Sequence, residues 1–521
     1  HNAAYPDGSG KFFTSGQGSR NAANNPNRNT DIVINELMVE PPSRHRDGEF
    51  IELFNKGNTT IDLSGWELSQ GVNYTFPGAT TLAPGDYLVI AANPVLTSSA
   101  FPAAEVLGPY SGNLANSGEL LRLIDSWGNT ADEVHYHTGG DWPALAAGGG
   151  SSLELRHPEM DNSKPTAWAD SQEDNKSNWQ TFTISEQYQR LTTRGSESDH
   201  EELHIFGIGD AHIALRNVKL TRNNSNTNIL PGGGSVTSRN GSGAGGWLCQ
   251  GTHHASDTFG NEFHLISSGH GDNKANRCEI DITQISQNDT LTFSCQARWI
   301  SGKPTLVVNT WDRSFGGILR LPVPNNLGTA GSTNSAAINA PAPTVSNLQH
   351  NPAVPSSSDA VIVTANVESA NTLSSVNVHH RRDNSSGNAA YETTAMNDNG
   401  VNGDELAGDG VYSATITQHQ NDNAVVQFYV QANSAGGNSI APGLAPEKPA
   451  MWVVDNSNIP TDLRTQRFVI SEYDRASLNT NTGESSSRDY DFPRLSNQYF
   501  NATFISNEQD IIYNCELRKS G

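Results

Sequence analysis

Ile32-Val33-Ile34-Asn35-Glu36-Leu37 and Glu49-Phe50-Ile51-Glu52-Leu53-Phe54-Asn55 decide how the chain is read. The first is a short strand-forming run, and the second alternates with the period of two that a strand imposes. Outward from this pair come Asp62-Leu63-Ser64-Gly65-Trp66-Glu67-Leu68, Leu82-Ala83-Pro84-Gly85-Asp86-Tyr87-Leu88-Val89-Ile90 and Leu120-Leu121-Arg122-Leu123-Ile124-Asp125. Short strands at regular spacing, broken by Ser-Gly and Pro-Gly turns, predict an immunoglobulin-like β-sandwich. Glu36, Asp47, Glu49 and Glu52 are the acidic residues of the first strand pair. Glu49 and Glu52 have opposite parity and face opposite sides, whereas Asp47 and Glu49 share a face and are candidate cation ligands. A solvated strand face explains the same carboxylates without a metal.

The motifs INEL (34–37), GEFIELFN (48–55), DLSGWEL (62–68), LAPGDYLVI (82–90), NSGELLRLID (116–125) and DEVHY (132–136), then WP and GGGSSLEL (148–155), follow in one order. In that order they resemble a bacterial lamin-tail domain, which implies an immunoglobulin-like fold over residues 31–184. Fold alone implies no activity.

Hydrophobic residues make up 35 % and charged residues 17 % of the 521, both below the usual shares. Asn, Ser, Thr and Gly fill the difference and favour turns and short strands over helices. A chain of this length needs several cores. The expected class is therefore all-β, built of tandem β-sandwiches. Acidic residues outnumber basic ones 55 to 32, a net charge of −23 that repels nucleic acid as a general partner. The same excess suits a hydrated surface or Ca2+, which takes oxygen ligands.

Four cysteines are too few for a disulfide scaffold, and none forms a CxxC pair. Cys249, Cys278 and Cys295 share one region, where one bridge with one cysteine left over is possible; the pairing is left open. Cys515 stands apart. No apolar run reaches the ~18 residues of a membrane span. The chain opens at His1 without a signal peptide and stops at Gly521 within strand-rich sequence, so it is expected to be an internal piece of a longer secreted precursor.

Residues 1–30 read as a linker or the tail of a preceding module. Over 185–340, the segments ALRNVKL, GWLCQGTHHAS, NEFHLISSGHGDNKANRCEIDI, TLTFSCQARWISG and LVVNTW resemble a galactose-binding-like jelly roll. Many members of that family hold calcium through paired aspartates where this chain has Arg216-Asn217-Val218, a departure that argues against calcium here. His253, His254, His264, His270 and Asp272 gather nearby, but their spacing matches no standard metal site. Sugars stack on exposed aromatic rings, and Trp311, beside the Asp312-Arg313-Ser314 turn, is the best platform among Trp247, Trp299 and Trp311.

Residues 341–456 resemble a fibronectin type III or immunoglobulin-like spacer. Between its strands, Asp398, Asp404 and Asp409 are interleaved with glycines that let a loop fold back and converge oxygen atoms, as a hard cation requires. The spacing is not that of an EF-hand, and Asx-turns account for the loop without metal. Residues 457–521 resemble the opening of a CotH-type spore-coat kinase domain, which implies that the tandem β-sandwiches end in a truncated α+β segment and that the nucleotide and metal sites would lie further on.

No GxSxG, HExxH or Walker loop is present, nor a GxGxxG ahead of a helix. The expected function is an extracellular or cell-surface scaffold or adhesion protein without catalysis of its own. Its expected partners are other copies of itself, surface proteins or polysaccharide, with Ca2+ as the expected cofactor. The alternatives are the targeting region of a secreted CotH-type kinase, or a glycan-binding protein acting through the jelly roll.

Overall fold

A computed structural model describes residues 2–4, 12–14, 29–41, 46–140, 142–189, 202–231, 246–268, 276–282, 285–312, 314–384, 388–401, 403–419, 421–457, 464–480 and 499–517. The chain is all-β. Most of the expected linker at 1–30 lies outside the described residues; within it, Asn2–Ala4 pairs antiparallel with Phe12–Thr14.

The first sandwich stacks two sheets. The larger orders Val106–Leu107, Tyr87–Ala91, Phe50–Asn55, Ile32–Met38, Leu153–Leu155 and Trp168–Asp170. The smaller orders Ser111–Gly112, Val72–Thr75, Glu67–Ser69, Gly118–Ile124 and Thr130–His137. Ile34, Ile51, Leu53, Leu88, Ile90 and Leu153 point between the sheets and meet Leu68, Val72, Leu121, Leu123 and Val134. Ile32–Met38 is nonetheless buried at every residue, a burial on both faces that is unusual for an antiparallel strand.

The second sandwich covers the other face. Its sheets order Gln180–Gln187, Thr290–Gly302, Ala211–Arg222, Glu262–Ser267 and Asp257–Phe259, against Leu248–Gln250, Arg277–Asp281, Glu202–Gly207, Thr305–Thr310 and Gly316–Arg320. Gln180–Gln187 pairs with Thr290–Gly302, so this unit takes up sequence ahead of the boundary expected at 185. Cys249 and Cys278 face each other across adjacent strands and form a disulfide, leaving Cys295 buried and free.

Beyond Arg320 the chain turns back over the first sandwich. Leu327 and Ala330 continue the second core onto Met38, Phe50, Val89 and Ala91, the outward apolar residues of the six-stranded sheet. Asn334 is 6 % exposed. Its amide donates to the carbonyls of Asn35 (3.1 Å) and Leu155 (2.8 Å) and accepts from Asn35 Nδ2 (2.9 Å). Residues 327–338 thus form a strap binding the two sandwiches together.

The third sandwich packs Thr344–Asn351, Val361–Glu368 and Val411–Ile416 against Glu392–Ala395, Leu373–Arg382, Val425–Ser434 and Gly437–Ala441, with Ala450–Val453 also on Val425–Ser434. Phe428, Trp452 and Val363 are in its core. The α+β segment that follows has Gln466–Ile470, Phe500–Ser506 and Asp510–Leu517 in one sheet, with the helix Glu472–Thr480. It docks on the third sandwich: Val469 and Ile505 meet Ala353 and Met451, and the Tyr513 hydroxyl lies 2.6 Å from His350 Nδ1.

Gly328 sits at φ +83°, and a Cβ there would stand 2.3 Å from Glu36 Oε1. Gly328→Ala is expected to destabilise the two-sandwich body. The left-handed backbone alone costs about 1–2 kcal/mol, and displacement of the carboxylate adds to it. Denaturant unfolding measures this as a lowered midpoint of the transition that exposes Trp247 and Trp299.

Candidate functional site

Asp398, Asp404 and Asp409 converge as expected: one carboxylate oxygen from each lies within 4.8 Å of the others. Gly403 turns the loop at φ +99°, where a Cβ would strike Ile362 Cγ2 at 2.2 Å. Asp398 accepts from the amides of Gly408 (2.5 Å) and Gly410 (3.0 Å), and Asp404 from those of Gly400 (2.5 Å) and Leu406 (3.1 Å). Asp409 closes an Asx-turn onto Val411. Each carboxylate oxygen carries two lone pairs, so amide bonding leaves unused acceptor capacity of the kind a hard cation takes. The charges are 398 intermediate, 404 buried and 409 exposed, a gradient running from the sandwich to solvent.

The second expected pair does not assemble. Asp47 is exposed on a short 3-10 turn, whereas Glu49 is 5 % exposed and turned into the first core. There it accepts from the Tyr110 hydroxyl (3.0 Å) and the Leu114 amide (2.9 Å), and burial raises its pKa. The solvated strand face is overturned too, since Glu36 and Glu52 are fully buried.

Trp247 and Trp299 are core residues, and Trp311 is half-buried with its amide donating to the Glu202 carbonyl. The glycan reading therefore retains only Trp311 of its three rings; the exposed indole is Trp127, at 52 %, on a hairpin turn of the first sandwich. Arg216 stacks over Trp179 at 4.2 Å. Among the described residues the histidine group does not come together as one site. His253 Nε2 accepts from the Gly207 amide, His264 Nδ1 lies 2.8 Å from His212 Nε2, and His270 and Asp272 are outside the described residues.

A feature that parity alone does not reveal lies under the strap. Glu36 stands directly opposite Glu52 on one neighbouring strand and Glu154 on the other. Like charges in that position repel. The strap supplies donors: Thr329 N to Glu36 (2.8 Å), Gly331 N to Glu52 (2.6 Å) and Ala336 N to Glu154 (2.7 Å). Thr329 Oγ1 reaches both Glu36 Oε2 (3.1 Å) and Glu154 Oε1 (2.7 Å). A hydroxyl has one proton and cannot donate to two carboxylates. The contact is satisfied when Glu36 is protonated, donating to Thr329, which donates to Glu154. Burial, then the Glu154 charge, pushes the Glu36 pKa up to about 8. Burial raises Glu52 in the same way, and the Glu36 charge adds to this once Glu36 ionises. Sequence carries one signal for this row, glutamates in strands otherwise made of core residues.

With this geometry in place, comparison with known proteins identifies one part of the chain. Residues 25–138 match the Lamin Tail Domain family. No curated protein matches the chain. A solved protein of Corynebacterium diphtheriae, described as membrane anchored, is 10 % identical with a TM-score of 0.15, covering 61 % of this chain. The chain spans 57 % of that protein, and so slight a likeness bears on neither fold nor function. No helix among the described residues is long and apolar enough to cross a membrane.

Folded, Glu36 keeps its proton to about pH 8, whereas unfolded it releases it near 4.5. The folded state binds more protons in that window, so this group's contribution is full below about 4.5 and is lost as pH rises to about 8. Glu36→Gln, whose amide can still donate to Thr329, is expected to flatten the fall in stability across that range, read from urea midpoints at successive pH values. Separately, Asp404→Ala strands the amides of Gly400 and Leu406 and is expected to cost about 1–3 kcal/mol, measured on the transition of the third sandwich.

Proposed function

We propose that this chain is an extracellular scaffold that holds β-sandwiches at fixed spacing on a cell surface and engages other copies of itself, neighbouring surface proteins or polysaccharide. The observation that carries this reading is the strap: it buries the outer face of the lamin-tail sheet against the second sandwich, making a stiff spacer from two small domains. Beside its apolar contacts the seam carries a row of satisfied polar groups, with amides of 329, 331 and 336 each on a buried carboxylate. The Cys249–Cys278 disulfide suits an oxidising compartment. The charge of −23 suits a hydrated outer surface.

In this reading the Asp398–Asp409 loop takes Ca2+, abundant outside cells, and stiffens the third sandwich. Millimolar Ca2+ is expected to raise the melting temperature of that sandwich relative to EDTA. Asp398→Asn combined with Asp404→Asn is expected to abolish the difference. Identical wild-type curves with and without Ca2+ would remove calcium from the proposal.

The location is tested on the organism that makes the protein. Antibodies against the folded chain should label intact cells, and peptide mapping without reductant should recover Cys249 joined to Cys278. Labelling only after permeabilisation, with both thiols free, would overturn the extracellular reading.

A further inference from the structure

We infer that His380, His419 and Glu392 form a binding site for a divalent transition-metal ion of the zinc class at the edge of the third sandwich. His380 lies on Leu373–Arg382, directly opposite Glu392 on the edge strand Glu392–Ala395. His419 comes from the loop after Val411–Ile416, with its ring centroid 5.3 Å from that of His380. One ligand atom from each of the three lies within 4.8 Å of the others. His380 is 1 % exposed; its Nε2 lies 3.0 Å from Thr394 Oγ1, while Nδ1 is buried without a hydrogen-bond partner. An orphaned buried imidazole nitrogen is costly unless something binds it. His419 Nε2 is likewise buried without a hydrogen bond, 3.4 Å from Glu392 Oε1.

Two imidazoles and one carboxylate are the donor set that borderline metals prefer, and three protein ligands leave a fourth position for water. Thr394 fits the role of the outer partner that orients a ligating histidine, accepting Nε2–H so that Nδ1 carries the lone pair. Burial lowers the pKa of both rings, favouring their neutral, ligating form. The ion would staple the edge strand and the 417–419 loop to the sheet. The other histidine-containing group, Glu202, His204 and Glu279, is less suited, because Arg277 Nε already lies 2.5 Å from Glu279 Oε2. Arg382 opposes a cation near His419, and Glu392 offsets it.

The test is a titration of the whole chelator-treated chain with ZnCl2 by calorimetry, and with CoCl2 by visible absorption. Glu392→Gln and His419→Ala change an exposed carboxylate and a loop residue, so the fold, checked by circular dichroism, is expected to persist. Wild type should bind one equivalent that both variants lose or bind at least tenfold more weakly. Asp47→Asn, at an exposed position on the first sandwich, should retain it. A wild type that takes up no Zn2+, or either variant binding with wild-type stoichiometry and affinity, overturns the site.

Discussion

Three glutamates abreast on one sheet face are the constraint around which the first half of this molecule is built. Glu52, Glu36 and Glu154 occupy directly opposed positions on three adjacent strands, an arrangement that an open antiparallel sheet would tolerate only in water. Here the face is covered. Burying the row requires a donor for each carboxylate and at least one proton shared among them. The strap meets the first requirement with backbone amides, which have fixed directions and carry no charge. Glu36 meets the second by holding its proton.

The same strap makes the domain boundary ambiguous in a physical sense. Leu327 and Ala330 belong to the second sandwich by chain order and to the six-stranded sheet of the first sandwich by contact. Glu173 holds the strap's first turn by accepting from the Gly328 amide at 2.9 Å, while pairing with Lys176 at 2.9 Å. Apolar burial supplies the attraction between the sandwiches and the carboxylate contacts supply the register, since an amide displaced by one residue would leave a buried glutamate without its partner. A similar division holds further along, where Tyr513 and Ile505 of the terminal sheet complete the surface of the third sandwich.

Much of this was legible in the amino-acid order. Period-two runs and Gly turns gave the sandwiches, and the interleaving of Asp398, Asp404 and Asp409 with glycine gave a loop whose carboxylates do converge. Asp47 and Glu49 were paired by parity, but a 3-10 turn intervenes at Arg46–Gly48, and parity counts only within a continuous strand. Trp311 was legible as the least core-like of its group, whereas the exposure of Trp127 on a turn was not read. His380, Glu392 and His419 are distant in sequence and carry no motif spacing, so their meeting was invisible.

What the sequence by itself determined is the class of structure: alternation sets which side chains share a strand face, and glycine sets where the backbone can reverse, both of which are local properties. What only the tertiary structure decided is which faces meet water. Ile32–Met38 has the same alternation whether its outer face is solvated or covered, and the covering residues lie some three hundred positions away, as in the bond from Thr329 to Glu36. Burial of Glu36 depends on that distant partner, and with it the protonation of its carboxyl; strand neighbours distant in sequence likewise set the pairing of Cys249 with Cys278 rather than Cys295 and the meeting of His380 with Glu392.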